Sequence, residues 1–221
     1  MPAKSTTTKP KLPAKKATKL RRRDRQATEQ LLLDACERIL LRHGPDGIGV
    51  NNVVEEAGVG KQLLYRYFDD LPGLVTAWLQ RGANWPTTDE LLGGDRDAFA
   101  ALDYKSKVKS IQRNYMKALR DRPVITRIMA SELMNPTQVT AVLEKTSDKV
   151  ARELTTIMSD MGEDQREDLV SLSLIFYCMI NYLCMRSVTS PKCFGMNLKQ
   201  NKSWQRVDDL IDVMVDRFLI D

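Results

Sequence analysis

Residues Gly49–Phe68 read GVNNVVEEAGVGKQLLYRYF. A short segment from Val50 to Ala57 ends at Gly58, and a second begins near Gly60 and closes at Phe68. Glycine tolerates the left-handed conformation that ends many helices, so Gly58 predicts a turn between two short helices. Val53 and Val54 face inward in the first. In the second, Leu64 and Phe68 are four apart and share the inner face. Lys61 and Tyr65 are also four apart, on another face. Two short helices joined by a tight turn form a helix-turn-helix.

The flanks extend the same pattern. Upstream, from Asp24, Leu32, Ala35, Cys36 and Ile39 recur at helical spacing, and Gly44-Pro45 stops that helix. Downstream, Pro72 suits a first helical turn, and a fourth helix runs through Leu74, Ala77, Trp78 and Arg81, ending before Pro86. Further helices are expected at Ala98–Arg120, Val124–Met134, Pro136–Met161, Glu163–Val188 and Ser203–Leu219, with Ser203 as the last N-cap. No alternating strand pattern is visible, and no internal repeat. The predicted class is all-α.

The net charge is +5, and its distribution is uneven. Residues 1–23 carry nine Lys/Arg and no Asp/Glu, which leaves 25 basic and 29 acidic residues for the rest of the chain. Residues 1–23 are rich in Lys, Thr, Pro and Ala, a composition that predicts a disordered basic arm. Residues 24–80 hold five basic and nine acidic residues, so the head alone is acidic, and the arm brings 1–80 to a net +5. Duplex DNA carries one negative charge per about 1.7 Å of axis, which makes the arm a natural complement to it.

Other chemistries find little support. The sequence has one histidine, His43, and four cysteines with no CxxC pair, so no metal or other cofactor is implied. No nucleophile elbow, Walker loop, HExxH or dinucleotide fingerprint is present, and an enzyme is not expected. Unpaired cysteines fit an intracellular, cytoplasmic setting. The start is polar with no apolar h-region, and the most apolar stretch, Leu169–Met185, is 17 residues long and contains Ser171, Ser173 and Asn181. A buried helix of a soluble protein is expected there, not a membrane span.

In a helix-turn-helix the second helix enters the DNA major groove, N-terminal residues leading. Here that helix offers Lys61, Gln62, Tyr65, Arg66 and Tyr67. Gln pairs with adenine and Lys with guanine, while Tyr hydroxyls suit phosphate or thymine edges. Arg21, Arg22 and Arg23 close the arm and are the candidate backbone contacts.

The segment from about Arg25 to Trp78 resembles the N-terminal domain of the TetR family of transcriptional regulators. The resemblance rests on Gly44, Gly47, Ala57-Gly58-Val59 and Leu64-Tyr65-Arg66-Tyr67-Phe68. The chain departs from the family pattern at Gly49, where a threonine is common, at Val54, Gly60 and Gln62, and at Leu71, where a lysine is common. Asp69 and Asp70 lie beside that last position.

The resemblance implies three parts: an arm (1–23), a DNA-binding head (24–71) and an effector-binding and dimerisation body (72–221). It implies a ligand-responsive regulator, most simply a repressor released from a palindromic operator, acting as a homodimer. Leu169–Val188 and Ser203–Leu219 are the candidate dimer helices. Candidate ligand residues are Trp78, Tyr115, Met116, Met129, Glu132, Phe176, Tyr177 and Asn181, since aromatics and methionines shape apolar pockets. An apolar or amphipathic small molecule is the implied effector. The alternative is a helical dimer that binds a small molecule or protein without reading an operator.

Overall fold

A computed structural model of the chain describes residues 14–81, 84–132, 136–158 and 163–219, with the backbone alone at 14–23, 132 and 163–166. Eleven α-helices and one small hairpin occur among them: α1 (Ala14–His43), α2 (Val50–Ala57), α3 (Lys61–Phe68), α4 (Leu71–Gln80), α5 (Thr88–Leu91), α6 (Arg96–Ala100), α7 (Tyr104–Arg120), α8 (Pro123–Glu132), α9 (Gln138–Ile157), α10 (Glu163–Thr189) and α11 (Asn201–Phe218). Strands β1 (Lys192–Cys193) and β2 (Met196–Asn197) pair antiparallel between α10 and α11.

Helices α1 to α4 form the head. Leu32, Ala35, Cys36, Ile39 and Leu40 of α1 meet Val53, Leu64, Leu74, Val75 and Trp78 in its core. Burial pushes the Cys36 thiol up to about 12, as an apolar surround does to any group that must charge. In the body, α7 is central and packs against α5, α8, α10 and α11. The head joins the body through α1 against α8 and α4 against α9.

Several expectations change. The arm was expected to be disordered through Arg23, but α1 begins at Ala14. Residues 14–23 hold no Pro or Gly and are mostly Ala, Lys, Leu and Arg, so a helix nucleated in the head propagates back through them. Residues 1–13 lie outside the described residues. The single helix expected at 98–120 is two, because Asp95 caps α6 and Asp103 caps α7 through the N–H of Ser106 at 3.0 Å. Gln200, not Ser203, is the N-cap of α11, and Ser203 is buried in its first turn. The hairpin at 192–197 gives no alternating pattern because each strand is two residues long.

Helix α10 is buried on one face only. Its segment Glu167–Thr189 is long and apolar enough to cross a membrane by length and composition, and 28% of the most apolar window is buried. Leu172, Phe176, Ile180 and Cys184 form the inner face. Leu174, Ile175 and Tyr182 lie outward and are more than half exposed.

Candidate functional site

The turn between α2 and α3 is built by Gly58. Its φ is 67°, and its N–H reaches the carbonyl of Glu55 at 3.1 Å. The Val59 N–H bonds the Val54 carbonyl, also at 3.1 Å, which closes the turn. Leu64 is fully buried and fixes the rotation of α3, with Tyr67 and Phe68 half-buried against the core. Lys61, Gln62, Tyr65 and Arg66 therefore stand outward together, and all four are exposed. Lys61 lies over the Tyr65 ring at 5.9 Å and approaches Asn51 Oδ1 at 3.4 Å. Tyr67 differs from the other candidates: the Arg25 guanidinium covers its ring at 5.2 Å, so it braces α3 against α1. The side chains of Arg21, Arg22 and Arg23 lie outside the described ones, while their backbone continues α1.

Several acids of the head have structural partners. Arg38 Nε and Arg42 Nη1 donate to the Glu56 carboxylate at 2.5 and 3.1 Å, fastening α2 to α1. The hydrogen bond from Arg38 is the main reason the Glu56 carboxyl sits below its ordinary range. Arg81 pairs with Asp34 at 2.7 Å. Asp70 caps α4 by accepting from Gly73 N–H at 2.7 Å. Among the described residues Arg66 makes no ion pair, so α3 keeps a cation for an outside partner.

Gly73 is required for how α3 and α4 meet. A Cβ there would collide with the carbonyl oxygen of Phe68. The first turn of α4 is thus pressed onto the last residue of α3.

A cavity of about 380 Å³ opens in the body between α5, α7, α9 and α10. Its wall is mostly apolar, with Leu91, Val108, Ile111, Leu154, Met158 and Leu169 among its residues. Trp85 and Pro86, just beyond α4, also line it. Of the expected ligand residues, Tyr115 and Tyr177 are on this wall, with ring centres 6.0 Å apart and near-parallel planes. Burial raises the Tyr115 phenol well above its usual range, so it stays protonated, and its hydroxyl donates to Asn181 Oδ1 at 2.7 Å. Asn181 thus acts behind the wall. Trp78, Met116, Met129 and Phe176 are core residues off the wall, because each faces inward on a helix packed on that side. The Glu132 side chain lies outside the described ones.

The sequence reading missed the α9 side of the cavity, including Ser147, Asp148, Ala151 and Thr155, and missed Gln112 of α7. The signal for Gln112 was present. It interrupts the stripe Val108, Ile111, Tyr115, Met116, Leu119, where helical spacing calls for an apolar residue.

Comparison with known proteins agrees with this geometry. Residues 32–77 match the family described as bacterial regulatory proteins, tetR family. Two uncharacterized HTH-type transcriptional regulators from strains of Mycobacterium tuberculosis are each 42% identical to the chain over 50 residues, 23% of this chain and 25% of each relative. The chain thus matches about a quarter of their length. Among solved structures, a TetR family transcription regulator from Marinobacter aquaeolei VT8 superposes with a TM-score of 0.50 at 17% identity, covering 91% of this chain and 99% of that one. A regulator of the same family from Rhodococcus sp. gives 0.52 at 16% identity, covering 86% and 99%. The head matches the TetR-family helix-turn-helix domain over residues 32–77, and the chain has the fold of TetR-family regulators.

Proposed function

We propose that the protein is a ligand-responsive, sequence-specific DNA-binding transcriptional regulator: a homodimeric, cytoplasmic repressor released from a palindromic operator by a small molecule. The observation that carries this reading is the joint exposure of Lys61, Gln62, Tyr65 and Arg66 on α3, set opposite the buried Leu64. These are groups that read base edges and phosphates, on the helix that leads into the major groove. The helical run from Ala14 supports a role for the arm. It lengthens α1 by about 15 Å beyond the head and carries the Lys and Arg that the head lacks. The three parts, 1–23, 24–71 and 72–221, keep their proposed roles, with α4 shared between head and body.

Two-fold pairing through α10 and α11 is proposed because both leave apolar side chains outward. The cavity supplies the effector site, and an apolar or amphipathic molecule suits its wall. Selection of bound fragments from random duplex DNA by the full chain tests the reading. Enrichment of an inverted repeat is expected; recovery of unrelated sequences overturns it.

A further inference from the structure

The cavity wall is largely apolar, yet α7 turns the amide of Gln112 onto it. Gln112 is 7% exposed and lines the cavity beside Ile111 and Tyr115. Its amide offers donors and an acceptor side by side. Among the described residues that side chain makes no hydrogen bond. Its neighbour Tyr115 is already committed to Asn181. The Gln112 amide atoms reach the open space of the cavity, so a ligand that displaces water there leaves them unpaired, at a cost, unless it bonds to them itself.

The charge of the wall limits what fits. The described lining residues include one charged side chain, Asp148, which is exposed, and no Lys, Arg or His. An anion entering here sheds water and gains no cation in return. A carboxylate also only accepts, so it leaves the Gln112 carbonyl facing a like partial charge. An alcohol engages one side of the amide at a time. An amide edge engages both.

Building on the reading of this cavity as the effector site, we propose that the effector is an uncharged, mainly apolar molecule ending in an amide or lactam. That edge is held by paired hydrogen bonds to Gln112, with the apolar remainder against Ile111, Leu154 and Leu169.

Calorimetry on the full chain at neutral pH tests this with three probes of equal chain length: octanamide, methyl octanoate and octanoate. Octanamide is expected to bind tightest, with the ester weaker by about tenfold and the anion weaker still. Gln112→Met, which keeps the volume, should remove the preference for the amide and leave the ester's affinity near that of the parent. Equal or tighter octanoate binding overturns the assignment and leaves the cavity reading standing. So does octanamide affinity that ignores Gln112→Met. If no probe binds, and the neutral dye N-phenylnaphthylamine is also excluded, both readings fall. Dye binding without amide binding overturns only the amide.

Discussion

Trp85 donates its backbone N–H to the carbonyl of Leu79 at 3.3 Å, which ties a wall residue of the cavity to the last turn of α4. Asn84 Nδ2 adds a bond to the Trp78 carbonyl at 2.8 Å. The other end of α4 is capped by Asp70 and pressed against Phe68 of α3. Ten residues of helix, about 15 Å, therefore separate the cavity wall from α3. On the proposed function, a ligand in the cavity would alter DNA binding only through a difference in its affinity for two arrangements of α4.

Asn84→Ala should weaken that coupling. Operator affinity without ligand should stay near the parent's, and ligand affinity should fall little. The ratio of operator affinities without and with saturating ligand should move toward one, against a usual coupling of about 1–3 kcal/mol. Fluorescence anisotropy with labelled operator measures it. An unchanged ratio removes this link from the coupling.

The outward face of α3 yields a second expectation. Tyr65→Ala and Gln62→Ala should each cost about 1–3 kcal/mol of operator binding and relax one position of the site. The head should keep its stability, because both side chains are exposed. Binding curves on the selected operator and its single-base variants decide this. Parent-like curves for both variants remove α3 from the interface.

The head was legible in the sequence and the cavity was not. Gly58 and the Leu64–Phe68 pair are local signals, since turn chemistry and helical spacing act within a few residues. The bounds of α2 follow directly from them. The cavity depends on how α7, α9 and α10 cross, which no local pattern encodes. Trp78 and Phe176 carry the same residue-type signal as Tyr115 and Tyr177, yet only the latter pair reaches the wall. Composition proposes pocket residues; helix rotation selects among them. Residues 14–23 differ from the expectation for a related reason. Their composition looks unfolded in isolation, whereas α1 supplies a nucleus from which they extend.

Gly73→Ala tests the contact between α3 and α4. The added methyl meets the Phe68 carbonyl oxygen, so backbone has to move. Overpacking of this kind costs about 1–3 kcal/mol. Thermal unfolding should show the loss, and operator affinity should fall further than stability alone explains, because α3 is reoriented. A parent-like melting temperature would falsify the steric account.

Glu56 sets an acid limit on the head. Its carboxyl is held below the ordinary 4.5, chiefly by the hydrogen bond from Arg38. A depressed carboxylate contributes stability that is present above 4.5 and is lost as pH falls through its folded value. Glu56→Gln should therefore melt earlier than the parent at neutral pH. The gap should narrow as pH drops below 4.5. Paired melts across pH check this. A gap that widens toward acid reverses the sign and removes the ion pair as its cause.

The outward face of α10 should be a self-complementary interface. Leu174 is 61% exposed and Ile175 52%, on a helix whose opposite face is core. Leu210 and Val213 of α11 are also exposed, and α10 and α11 are in contact. Burying a Leu or Ile side chain contributes about 1.5–3 kcal/mol, and in an isologous pair each residue counts twice. Leu174→Asp places two carboxylates where two apolar side chains would meet; Leu174 lies outside the monomer's buried core, although it also borders the cavity. Sedimentation of the parent at micromolar concentration should show a dimer, and that of Leu174→Asp a monomer with unchanged helix content. Operator binding should weaken with it, because a lone α3 reads only half of a two-fold site. A parent that sediments as a monomer, or a Leu174→Asp dimer as tight as the parent, places the interface elsewhere.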